Sequence, residues 1–490
     1  MNDMKKYSSI IYICSILLAG IAGLAALTGC TKTLQEKPVT FISPSTFFTN
    51  PASYEQAVVG IYSTLSSLYG GDPMMMREMF SDICGSPSPL TEQAVPTYQN
   101  NHQYYFYCVE DEWGDDYNII KNANFILSYL PAASMPDTER NALTAEAEFL
   151  RGFAYFQLVQ FFGDVPLRTK PITDYTNVQI PRTSQDSVYS LILSDLTYAE
   201  ANLPDVAPQQ GRVYKLAATA LLAKVYLTMA GYPLNQTAYY QNAKAEALAV
   251  INSGRFQLVS DYSQLFHNTA YTSESIWEQL YISGIGGNPL HALCSTATGF
   301  TPILVPLPWF INSFPPGDQR QVWGINQTYV GPGGNILPPF FQKFVNNTFT
   351  AAGQTPSAII SSYTIPFLRL GEMYLIAAEA ENEMNGPANA YPYVNQIRER
   401  ARVDKTNPAD VPDLAGLTQD QFRDSVLMER KRELHLEGST WFDLKRTNTL
   451  SNIQTVRGGS LAIPIGPYNS TWYIPDTELN DNNIPQNPTY

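Results

Sequence analysis

The sequence predicts a mainly α protein: a scaffold of tetratricopeptide-like helix pairs, interrupted by irregular loop and short-strand insertions. Three observations lead there. Apolar residues recur at helical spacing in runs that come in pairs joined by short turns. Small residues sit at the contact positions within the pairs, as in Leu222-Ala223-x-x-Tyr226 followed by Tyr240-x-x-Ala243-x-x-x-Ala247-Leu248, which is close to a tetratricopeptide unit. Two long stretches, residues 71–112 and 256–364, lose the helical period and are rich in aromatic residues. The spacing between units is irregular, so an unrelated all-helical core fits the periodicity as well as a repeat does.

The elements follow in order. Asn50-Pro51 offers a cap with proline at the first helical position, and Tyr54, Val58, Ile61, Leu65 and Leu68 continue at helical spacing to Gly70-Gly71. The period returns at Tyr117, Ile120, Asn124 and Leu127, with Trp113 just before it as a staple. A long helix is expected over about 139–162, stopped by Gly163-Asp164-Val165-Pro166. Thr183-Ser184-Gln185-Asp186 fits a capping box before Val188, Ile192, Leu196 and Ala199. A further pair is expected from Val213 to Gly231 and from Thr237 to Asn252. Between 256 and 364 short strands and loops are expected, with Trp277 in a core strand. Helical spacing resumes at Leu370, Met373, Tyr374 and Ala377, turns at Gly386-Pro387, and returns through Tyr391, Val394 and Ile397.

The N-terminus reads as an address. Lys5 and Lys6 precede an uncharged run from Tyr7 to Gly29, the form of a secretory signal. Its length also allows an uncleaved anchor. Thr28-Gly29-Cys30 resembles a bacterial lipobox, which implies cleavage before Cys30 and acylation of its thiol, with residues 31–49 as a tether. Cys84, Cys108 and Cys294 then remain, either with a Cys84–Cys108 bridge or as three buried free thiols.

Composition narrows the function. The net charge is −14 with no basic stripe, which argues against nucleic acid as a partner. Only 15% of residues are charged, whereas there are 31 tyrosines, a balance that suits a secreted protein presenting amphipathic rings. The four histidines, His102, His267, His291 and His435, show no metal-ligand spacing. No nucleophile elbow, phosphate loop or dinucleotide fingerprint is present. Glu110/Asp111 and Asp115/Asp116 are adjacent acids, more often solvated surface than a glycosidase pair. No catalytic residue, cofactor or metal is expected.

Several segments together resemble one family, the SusD-like (RagB/SusD) outer-membrane lipoproteins. They are Phe162-Gly163-Asp164-Val165-Pro166-Leu167, Pro181-Arg182-Thr183-Ser184, Ile192-x-x-Asp195-Leu196-x-x-Ala199, "FLRLGEMYLIAAEAEN" at 367–382, "ERKRELHLEGSTWFDLKRT" at 429–447 and the terminal "YIPDTELNDNNIPQNPTY". Ser439-Thr440 and Thr489 depart from the family pattern, both in structural segments. The resemblance implies about four helix-pair units and a single domain over 50–490. Within it the scaffold covers about 50–70, 115–254 and 366–403. Ligand-face insertions cover about 71–112 and 256–365, and a C-terminal segment 404–490. It also implies a lipid anchor at Cys30, a surface-facing outer-membrane location, and capture of a glycan for a SusC-like TonB-dependent transporter. A peptide-binding member of the same fold, or a non-catalytic adaptor for proteins, is the alternative.

Glycan binding needs flat rings for the C–H face of a sugar and amide or charged groups for its hydroxyls. The insertions supply Tyr98, Tyr104, Trp309 and Trp323 as candidate platforms, with Asn101, Arg77 and Arg320 as polar partners. The competing fate for each ring is the core. Met74 to Met76 either line an adaptable pocket or pack. The alternating charges from Glu429 to Glu433, with Glu437 and Asp443, read as helix-surface or partly buried ion pairs with a structural role.

Overall fold

A computed structural model describes residues 47–68, 74, 77–85, 103–172, 178–281, 287–288, 290–294, 302, 304–328, 338–345, 361–457, 465 and 467–487. Among these, helices of eight or more residues are numbered α1 to α9. α1 (Pro51–Leu68) starts as its cap dictates, with the Asn50 carboxamide oxygen accepting from the Ser53 amide at 3.1 Å. α2 (Gln103–Tyr129) gives way to a single 3-10 turn containing Pro131. α3 (Asp137–Phe162) is buried on almost every side beyond Ala145, as its all-round apolar sequence requires. It ends at Gly163, whose φ of 73° favours glycine. α4 (Gln185–Asn202), α5 (Lys215–Ala230) and α6 (Tyr239–Asn252) follow. α7 (Leu370–Asn385), α8 (Tyr391–Ala401) and α9 (Gln419–Leu434) complete the set.

From α1 to α8 each helix packs on the next in sequence, and α9 packs on α7. That serial packing is the arrangement of a helical repeat. Small residues allow the close approach of α5 and α6: Ala220, Ala223, Ala243 and Ala247 are all fully buried. Tyr226 closes that pair by stacking on Tyr239, with centroids 5.2 Å apart. Around Leu375, Val394, Ile397, Phe422 and Val426 the last three helices share a hydrophobic core.

Both insertions leave the scaffold at joints between consecutive helices, one between α1 and α2 and the larger between α6 and α7. Four antiparallel two-stranded pairs tie them down. β1 (Cys84–Gly85) pairs with β5 (Val305–Pro306) and so joins one insertion to the other. β2 (Val165–Pro166) pairs with β3 (Arg182–Thr183) beneath α4. β4 (Ser275–Gln279) pairs with β8 (Ile365–Arg369), which runs straight into α7. β6 (Ile325–Asn326) pairs with β7 (Phe340–Phe341). Trp277 on β4 is fully buried against Phe149, Phe153 and Phe367, as a core strand residue.

Several expectations are corrected. Residues 103–112 are helical, so Trp113 lies inside α2 rather than before it, packed on Phe162 at 4.8 Å. The Thr183 capping box does not form. Asp164 caps α4 instead, its Oδ1 accepting from the Gln185 amide at 3.0 Å. The capping box that does form is Thr418 with Gln421, which starts α9. Cys84, Cys108 and Cys294 are buried, and no disulfide joins them among the described residues. No helix among the described residues is long and apolar enough to cross a membrane.

Candidate functional site: an aromatic cluster on a buried ionic frame

The larger insertion carries three half-buried rings that meet. His267 stacks on Tyr363 with centroids 5.3 Å apart and an interplanar angle of 21°. Trp323 meets His267 edge-on at 6.0 Å and 84°. The three residues are 40 or more positions apart in sequence, and hydrogen bonds between their segments hold them together. Trp323 sits on a short helix, Gln319–Gly324, whose first residue reaches across. The Gln319 Oε1 accepts from the Tyr262 amide at 2.9 Å, and its Nε2 donates to the Ser260 carbonyl at 3.2 Å. Both partners lie on the turn that leads to His267. The Asn268 carbonyl accepts from the Thr364 amide at 3.1 Å, tying that turn to Tyr363. Gln342 closes the frame: its amide donates to the Gly324 carbonyl at 2.9 Å and its Nε2 to the Val322 carbonyl at 2.6 Å.

Beneath the rings lies a network of fully buried charge. Asp318 caps the Trp323 helix by accepting from the Arg320 amide at 2.9 Å, and binds the Arg320 guanidinium through both oxygens at 2.9 and 2.7 Å. Arg320 also pairs with Glu429 at 2.6 Å and Glu433 at 3.2 Å. Glu433 further binds Arg369 at 2.7 Å and Arg400. Burial alone would raise the Glu433 carboxyl. The guanidiniums of Arg400, Arg369 and Arg320 reverse this and hold it well below the usual carboxylate range. Glu437 is likewise held low, against burial, by Arg369 and Lys343. Burial pulls Lys343 down to about 8 even with Glu437 beside it, and its ammonium lies 4.1 Å from the Phe266 ring centroid. The expected surface or part-buried ion pairs at 429–437 are therefore largely interior. Burial also lowers the His267 imidazole, so the ring cluster presents a neutral face at neutral pH.

The candidate residues divide. Trp323 joins the cluster. Trp309 is half-buried elsewhere: its Nε1 donates to the Asp82 carbonyl at 2.8 Å, and the Lys431 ammonium lies 5.5 Å from its centroid. Among the described residues no ring contact joins Trp309 to Trp323. Arg320, fully buried and held by three carboxylates, is corrected from ligand partner to structural anchor. Arg77 is corrected in the same way, being 1% exposed, paired with Glu112, and 4.8 Å above the Phe161 ring. Tyr98 and Asn101 lie outside the described residues, and of Tyr104 only its place in α2 is described. Met74 is fully buried. His267 and Tyr363 were not singled out by the sequence. Both fall in the aperiodic aromatic stretch, and no spacing signal links them to Trp323.

Two family models match the chain. One described as SusD family covers residues 318–490, and one described as starch-binding, associating with outer membrane, covers 34–227. A SusD-like protein (P2) of Formosa agariphila is 30% identical over 99% of this chain and 100% of its own length. The chain belongs to the SusD family. The starch-binding protein SusD of Bacteroides thetaiotaomicron is 25% identical over 76% of each chain. Among solved structures, a SusD superfamily protein from Parabacteroides distasonis aligns with a TM-score of 0.78 at 25% identity, covering 90% of this chain and 99% of its own. A laminarin-binding SusD-like protein shares the fold, with a TM-score of 0.73 at 24% identity over 90% of this chain and all of its own. The mainly α SusD-like fold expected from the sequence is the fold found.

Proposed function

We propose that this SusD-family chain captures a glycan at the Trp323–His267–Tyr363 cluster and delivers it, without cleaving it, to a SusC-like TonB-dependent transporter. In this reading residues 1–29 are a signal peptide and Cys30 carries the acyl chains that hold the protein in the outer membrane. Residues 31–49 tether the single domain 50–490 at the cell surface. One acyl chain binds a bilayer only marginally, so the two or three chains of a bacterial lipoprotein are what make the anchor stable.

The observation that carries the reading is the ring cluster itself: neutral half-buried rings on a frame with little freedom to move. A sugar face covering roughly 80 Å² of one ring contributes about 2 kcal/mol. Each hydrogen bond to a hydroxyl adds only about 1 kcal/mol, so affinity depends on rings already in place. The starch-binding relative supports a glycan over a peptide. Calorimetric titration of the detergent-solubilised full chain against α- and β-linked gluco-oligosaccharides and against peptides tests this. Heat with an oligosaccharide, weakened in Trp323→Ala, is expected. Heat with peptides alone overturns it.

A further inference from the structure

A second concave surface lies on the helical scaffold, away from the insertions. It is a cleft of about 660 Å³ where the turn between α5 and α6, the end of α7, the start of α9 and the segment after Arg446 meet. That volume suits a small ligand. Close backbone approach fixes its floor. The Tyr232 amide donates to the Arg446 carbonyl at 2.7 Å, and a Cβ on Gly231 would lie 2.4 Å from that same oxygen.

The charges around the cleft already satisfy one another. Arg423 clamps Glu383 through two parallel bonds of 2.6 and 2.7 Å. Arg446 clamps Glu379 in the same two-point manner. Bidentate pairs of this kind are rigid and leave no net charge to draw in an ion. The remaining polar groups are different. Tyr232, Thr237, Tyr240 and Asn448 line the cleft, and none of their side chains has a hydrogen-bond partner among the described residues. Met384, 36% exposed, adds an apolar surface beside the two rings. Asn448 is held at a φ of 55°, a left-handed conformation that asparagine tolerates better than most residues.

We propose that this cleft is a second sugar site, taking a neutral mono- or disaccharide unit. Both a free anion and a free cation would meet a like charge there, from Glu379 and Glu383 or from Arg423 and Arg446. A neutral polyol meets the side chains of two tyrosines and several unengaged polar residues instead. The cleft shares no lining residue with the Trp323 cluster, so the two sites stand or fall separately.

The test titrates the detergent-solubilised full chain with glucose, galactose, mannose, xylose, maltose, cellobiose and laminaribiose. At least one is expected to saturate the protein. Tyr240→Phe, which deletes an oxygen that has no hydrogen-bond partner among the described residues, should weaken it about 2- to 10-fold. Tyr240→Ala combined with Asn448→Ala, made in a Trp323→Ala background so that the ring cluster contributes nothing, should weaken it at least about tenfold. The proposal is overturned if no saccharide saturates, if the double variant binds as well as the parent, or if the affinity follows Trp323 instead. A Trp323→Ala variant that still binds longer glycans normally counts against the ring cluster and leaves the cleft untouched.

Discussion

Glu433 is charged and fully buried, whereas Trp323 is aromatic and half exposed; one short helix, Gln319–Gly324, links their two neighbourhoods. The usual distribution of charge and ring is inverted across it. The difference teaches what each region is built to do. Buried guanidinium–carboxylate contacts are directional, so they fix a loop-borne helix in one orientation where a greasy contact would let it slide. The half-exposed rings pack on one another and stay partly open to solvent. The frame depends on every partner being present, because an unpaired buried charge is far costlier than a missing apolar contact.

Glu433→Ala is therefore the most damaging change expected. It strips a carboxylate from Arg320, Arg369 and Arg400 at once. The expected loss is about 3–5 kcal/mol in urea unfolding, with glycan binding lost alongside. A loss under about 1 kcal/mol with binding intact would show that charge and ring are not mechanically joined. Gly324→Ala attacks the junction from inside. A Cβ there would lie 2.5 Å from the His435 Nε2, on a fully buried imidazole that also stacks 5.9 Å from Phe341. Crowding of this sort costs about 1–3 kcal/mol. It should lower stability and weaken binding together, since Gly324 ends the helix that bears Trp323. Trp323→Ala should separate the two properties. Losing roughly 80 Å² of ring contact removes about 2 kcal/mol of affinity, near 30-fold by calorimetry. The unfolding free energy should move by less than about 1 kcal/mol, because the ring is only half-buried. If stability falls further than affinity, the ring belongs to the core.

The scaffold was legible in the sequence because helical spacing is a local property. Val58, Ile61 and Leu65 report their own helix, and Ala243 with Ala247 report their partner. The family segments at 367–382 and 429–447 were legible for the same reason, as continuous strings. The site was not. Trp323 could be picked as an aromatic in an aperiodic stretch, but its neighbours His267 and Tyr363 are chosen by tertiary contacts that no spacing encodes. Arg77 and Arg320 misled because an arginine in a loop reads as solvated until its carboxylates are found, and Glu112, Glu429 and Glu433 lie 35 or more residues away. The capping of α4 by Asp164, not Thr183, is the same lesson at smaller scale.

A last test sets buried acids with cations against one with too few. Glu278, on β4, is nearly fully buried, and its Oε2 has no hydrogen-bond partner among the described residues. Burial raises it to about 7, against the opposing pull of the Ser275 hydroxyl and the Arg369 guanidinium. A carboxyl raised in the folded state stabilises fully below its unfolded value and loses that contribution as pH climbs through the folded value. The parent should thus lose stability relative to Glu278→Gln between pH 5 and 7.5, by about 2 kcal/mol. The difference between parent and variant isolates this carboxyl, because His267, His435 and Lys343 titrate in both. Glu433→Gln must show the opposite pattern. Its carboxyl is held low, so the parent's advantage is complete above the unfolded carboxylate range and shrinks only as pH falls below it. Two buried glutamates with opposite pH signatures, measured by urea unfolding at pH 4, 5, 6 and 7.5, would trace the difference to how many guanidiniums face each carboxyl. Parallel signatures would mean that burial, not pairing, governs both.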